Sequence, residues 1–67
     1  MDLKQARKES GLTQQELATK LGVGQPTVSS WEKGRTNPNP YYMQQIQNIL
    51  GISKEEIFFN LFNYKMN

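Results

Sequence analysis

Along the 67-residue chain, apolar side chains recur three and four positions apart rather than at every second position. That is the spacing of one face of a helix, and glycine or proline interrupts it at regular intervals. Asp2, with Gln5 three residues on, predicts a capped first helix that runs to about Ser10 and stops at Gly11. Thr13 with Glu16 predicts a capping box and a second helix through Leu21, ended by Gly22. After Gly22-Val23-Gly24, a third helix is expected over residues 25–33, stopped by Gly34; Pro26 fits its first turn, where amides have no intrahelical acceptor. Residues 35–39 read as a loop, and Asn39 caps a fourth helix that starts at Pro40 and ends at Leu50-Gly51. Ser53 with Glu56 predicts a last capping box and a helix over about residues 53–64. The expectation is an all-α, compact five-helix domain occupying residues 1–67, with no linker, repeat or low-complexity segment.

Two of these helices are joined by only three residues, and so short a turn forces a sharp angle, the arrangement of a helix-turn-helix pair. Leu17, Ala18 and Leu21 form the inner side of the second helix, with Ala18 small where the third must approach. Gly22 stands where the chain needs positive φ. Val23 fills the corner, and Val28 and Trp31 face inward. Gln25, Pro26, Ser29, Ser30 and Lys33 are then left on the outer face of the third helix.

Composition narrows the chemistry. Cysteine and histidine are absent, which removes a disulfide framework, cysteine-ligated metals, and both the commonest metal ligand and the commonest general base near neutral pH. The serines have no adjacent base, and the carboxylates of Asp2, Glu16, Glu55 and Glu56 stand at helix starts, where negative charge is favourable without catalysis. An enzyme is not expected, nor a cofactor or metal. No apolar run reaches the roughly 20 residues that a bilayer requires, and the start is polar rather than signal-like, so a cytoplasmic protein with no membrane partner is expected. The net charge of +2 is compatible with nucleic acid without demanding it.

The outer face of the third helix carries the informative chemistry. Small and amide side chains suit a helix entering a major groove about 12 Å wide. Gln25 can pair with an adenine edge, Ser29 and Ser30 can donate or accept, and Pro26 can touch a thymine methyl. Gln14, in the first turn of the second helix, is placed for the phosphate backbone, and Lys33, Arg35, Thr36 and Asn37 flank the third helix as further phosphate contacts.

The residues Gly11-Leu12-Thr13-Gln14-Gln15-Glu16-Leu17-Ala18, then Leu21-Gly22-Val23, then Val28-Ser29-Ser30-Trp31-Glu32-Lys33-Gly34 resemble the Cro and phage-repressor type of helix-turn-helix domain. The resemblance continues through Asn37-Pro38 and Leu50-Gly51-Ile52-Ser53. It implies a lambda-repressor-like five-helix fold and a sequence-specific transcriptional regulator, usually dimeric on a near-palindromic DNA operator. Residue by residue, it implies base contacts from Gln25, Pro26, Ser29 and Ser30, and phosphate contacts from Gln14, Lys33, Arg35 and Asn37. It also implies a partly buried ion pair between Arg7, on the Leu3, Ala6, Ser10 stripe, and Glu32. In the aromatic tail, Ile57, Phe58, Leu61, Phe62 and Tyr64 form one helical stripe for the core. Phe59 falls outside it and is expected as a contact in a homodimer formed at least on DNA. The competing expectation is a protein-interaction module, such as an antitoxin or anti-regulator that keeps the fold.

Overall fold

A computed structural model describes residues 1–59 and residue 61. Among them the chain forms five helices and no strand: α1 (Leu3–Glu9), α2 (Gln14–Leu21), α3 (Gln25–Glu32), α4 (Pro40–Leu50) and α5 (Lys54–Ile57). Side-chain oxygens set most of the starts. Asp2 accepts from the Gln5 amide at 2.8 Å, Thr13 from Glu16 at 3.0 Å, and Asn39 from Tyr42 at 2.9 Å. Each satisfies a first-turn amide that has no intrahelical acceptor.

Only Thr13 and Glu16 complete a reciprocal box, with the Glu16 carboxylate accepting from the Thr13 amide at 2.9 Å. The other two boxes are half-formed, which corrects the sequence expectation. Gln5 turns along α1 and donates to Glu9, a charged acceptor one turn on. Ser53 accepts from the Glu56 amide but gives its own proton to Glu55.

The turn between α2 and α3 depends on Gly22, whose φ of 75° is left-handed. A side chain there would meet no neighbouring atom, so the requirement is for backbone conformation rather than space. With Gly22 so turned, the Val23 amide bonds back to the Ala18 carbonyl at 3.0 Å, closing the end of α2 and reversing the chain onto α3.

Leu17, Ala18, Val28 and Ile46 are fully buried at the centre. Leu3 and Ala6 of α1, Met43 and Leu50 of α4, and Ile57 with Phe58 close around them. Burying side chains such as Leu17 and Ile46 contributes about 1.5–3 kcal/mol each, the largest favourable term available to so short a chain. Leu21, Val23 and Trp31 pack at the margin of this core rather than within it.

Of the span expected over residues 53–64, residue 60 and residues 62–64 lie outside the described residues. The helical run of α5 is Lys54–Ile57, and Phe58 departs from helical geometry with φ −111° and ψ 36°. Ile57 and Phe58 are both buried, so the backbone turns to deliver two consecutive apolar side chains to one core. Leu61 packs against the same core, whereas Phe62 and Tyr64 lie outside the described residues. Lys54 fastens α5 to α4, its amide donating to Gln47 at 2.9 Å and its ammonium to Gln44 at 2.8 Å.

Candidate nucleic-acid interface

The packing of α1, α2 and α3 assembles a continuous run of polar contacts beside the turn. Arg7 is buried on α1, and its Nε donates to Glu32 Oε2 at 2.6 Å while Nη2 donates to Oε1 at 3.1 Å. Nη1 donates to the Leu12 carbonyl at 2.8 Å, pinning the α1–α2 turn. Glu32, at the end of α3, has a side chain only 3% exposed. Its Oε1 also accepts from Gln14 Nε2 at 2.9 Å, and Gln14 Oε1 in turn accepts from Gln25 Nε2 at 2.6 Å. Three helices are thus joined by one relay from a buried guanidinium to a half-buried amide at the start of α3. Among the described residues, no buried side-chain nitrogen or oxygen lacks a partner.

The electrostatics follow from this geometry. Burial pushes the Glu32 carboxyl up, but hydrogen bonds from Arg7 and Gln14 and the positive charges of Arg7 and Lys4 outweigh it and hold the group below its ordinary value. The hydrogen bond to Glu32 raises Arg7, with burial opposing, so the guanidinium stays charged.

Pro26 is exposed on the outer face of α3, while Gln25, Ser29 and Ser30 are half-buried there. The Ser30 hydroxyl shares a 2.8 Å hydrogen bond with that of Thr36, tying α3 to the loop that follows. Lys33, Arg35, Thr36 and Asn37 are exposed along this loop, and the buried Pro38 anchors it. The geometry therefore brings Gln14 to Gln25 and Thr36 to Ser30.

Phe59 is 60% exposed. It edges a groove of about 540 Å³ shared with Met1, Trp31, Lys33, Asn37 and Pro38.

Two exposed side chains went unremarked in the sequence. Thr27 belongs to the surface of α3, passed over because its neighbours Pro26 and Val28 were assigned to opposite faces. Tyr41, 64% exposed, opens α4 directly after the loop. It stacks edge-on against Tyr42, whose ring lies 5.6 Å from that of Trp31. A tyrosine so soon after a helix start is the signal that was available.

With this geometry in place, comparison with known proteins is decisive at the level of family. The family model described as helix-turn-helix matches residues 3–57. The chain belongs to the helix-turn-helix family. It is 42% identical over 57 residues to an HTH-type transcriptional regulator of Methanothermobacter thermautotrophicus, covering 84% of this chain and 83% of that protein. An HTH-type transcriptional regulator of Sinorhizobium fredii is 39% identical over 51 residues, 76% of this chain and 66% of its own length. The multiprotein-bridging factor 1 of Candida albicans is 38% identical over 50 residues, 75% of this chain but only 33% of its own length. The chain thus spans from a third to most of the relatives it matches. No solved structure gives a significant match. Among the described residues of this family member, no helix is long and apolar enough to cross a membrane.

The buried pair makes a measurable commitment. Replacing Arg7 or Glu32 alone by Met leaves one buried charge unpartnered and should cost about 3–5 kcal/mol. The double replacement should cost less than the sum of the two in denaturant unfolding, and strict additivity would mean that the groups do not interact. Glu32 titrates lower in the folded state. Its contribution is therefore complete above roughly pH 4.3, the ordinary glutamate value, and is lost as the pH falls through the folded value. The exposed Glu55 is also held low, chiefly by its own backbone amide. The acid loss specific to the pair is the part that the double variant lacks.

Proposed function

We propose that this helix-turn-helix protein is a sequence-specific, double-stranded-DNA-binding transcriptional regulator that acts as a repressor by laying α3 in the major groove. The observation that carries the reading is Gln25, held by Gln14 at the start of α3 among small polar neighbours. An amide so placed offers an acceptor and a donor to a base edge, the pattern that an adenine complements. Pro26, Ser29 and Ser30 complete the base-facing set. Gln14, Lys33, Arg35, Thr36 and Asn37 supply phosphate contacts, which fix register without carrying sequence information.

A single short helix reads too few base pairs to select one operator among the sites of a genome. The reading therefore includes a homodimer on a near-palindromic operator, with recognition helices about 34 Å apart. Phe59, exposed at the edge of its groove, is the proposed contact. Because Lys33 and Asn37 line the same groove, dimerisation and backbone contact share a border. The same apolar surface supports a second reading as a protein-docking module, in keeping with relatives named multiprotein-bridging factors.

Gln25→Ala should cost about 1–3 kcal/mol on the preferred site and little on random DNA. Arg35→Ala should weaken both alike and lower the salt slope by about one. Equal loss on both sites for Gln25→Ala would remove the base-reading assignment. Phe59→Lys should abolish cooperative operator binding and the dimer in sedimentation while leaving helix content unchanged. Unaltered cooperativity would move the interface elsewhere, and capture of a different protein by the same face would favour the docking module.

A further inference from the structure

We infer that Glu32, buried and out of reach of any base, is a positioning residue that dictates which base Gln25 accepts, by fixing the polarity of the Gln14–Gln25 amide relay. The inference rests on the reading of α3 as the DNA-contacting helix, and it assigns Glu32 a role beyond its ion pair.

The argument starts from the one group in the relay whose hydrogen-bonding polarity cannot reverse. An ionised carboxylate only accepts, whereas a glutamine amide can present either its oxygen or its NH₂ to a neighbour. Arg7 occupies Glu32 from one side and keeps it ionised. Facing that carboxylate, Gln14 must turn its NH₂ inward, at 2.9 Å from Oε1, and its oxygen outward. Facing that oxygen, Gln25 must in turn bring its own NH₂ to Gln14, at 2.6 Å. Each amide orientation follows from the one before it.

The consequence lies at the outer end. A glutamine NH₂ carries two hydrogens, and Gln14 takes one of those on Gln25. What remains for the groove is one hydrogen and the carbonyl oxygen. Adenine presents an acceptor at N7 and a donor at N6, which match that pair. Guanine presents two acceptors, N7 and O6, so its O6 would face the Gln25 oxygen with no proton between them. Released from Gln14, Gln25 could turn both hydrogens outward and tolerate guanine. Discrimination of adenine from guanine is thus set by a charge that does not touch DNA.

The test uses the full chain, with an operator selected from random duplexes and a matched duplex bearing guanine for adenine at the base that Gln25 reads. Wild type should favour adenine over guanine by about tenfold or more, the size expected of a good bidentate contact. Glu32→Gln, which can present an oxygen or an NH₂ to Gln14, should bring that ratio to within about threefold while the ratios at bases read by Ser29 and Ser30 stay fixed. Since Glu32→Gln disturbs the ion pair, Gln14→Met provides a second route: it leaves Arg7 and Glu32 bonded but cuts the relay. It should relax the same ratio even though it also weakens binding uniformly. A merely structural role for Glu32 would lower affinity for both duplexes together. Wild-type ratios in folded Gln14→Met, confirmed by circular dichroism, would overturn the inference. Gln25→Ala separates the two levels of the argument. If it erases the adenine preference while Gln14→Met does not, α3 reads DNA but the relay does not set its choice. If Gln25→Ala changes nothing, both the relay and the reading of α3 are wrong.

Discussion

A guanidinium on the first helix and a carboxylate at the end of the third meet in an environment from which water is largely excluded, and the other polar contacts of the region are arranged around that meeting. Charges so buried are tolerable only when paired and fully hydrogen-bonded. The structure meets this condition by pairing the third guanidinium nitrogen with the Leu12 carbonyl and giving Glu32 Oε1 a further donor in Gln14. The first contact holds the α1–α2 turn and the second holds the start of α2 against α3. A pair that adds little net stability over an apolar core can nonetheless fix one relative placement of three helices, because any other placement strands a charge.

That placement connects fold to function. The core formed by Leu17, Ala18, Val28 and Ile46 brings α2 and α3 together without specifying how an amide on one meets an amide on the other. The polar relay supplies that specification, and it ends on Gln25, the side chain proposed to read a base. Gly22 makes the approach possible by turning the chain in three residues, and Ser30 with Thr36 carries the same ordering into the cationic loop. Side chains ordered before DNA arrives have less conformational freedom left to lose on binding, which favours affinity and selectivity together.

Much of this was legible from residues alone. Thr13 with Glu16, Asn39 before Pro40, and the glycines after each helical run have local physical causes, so the boundaries of α1 to α4 could be placed to within a residue. The turn of three residues and the apolar spacing indicated which face of α3 stays outside, although Thr27 was left off it. The relay was not legible in this way. Gln14 and Gln25 are eleven residues apart, and their bond exists only because Gly22 sets the angle between two helices. Nothing in the local pattern distinguishes that pair from Gln5 with Glu9 or Gln44 with Asn48, which bond along single helices. Nor was the break at Phe58 legible, because the spacing of apolar side chains carries no mark of a single residue leaving helical geometry.

The central claim is that the polar face of α3 is ordered from within before any ligand binds. Nitrogen-15 relaxation of the side-chain amides in the free protein tests it most directly. Gln14 and Gln25 should show order parameters near those of rigid backbone, about 0.85. They should fall together when Glu32 is replaced by Gln. Values below about 0.6 for Gln25 in the unaltered protein, those of a flexible group, would contradict the account.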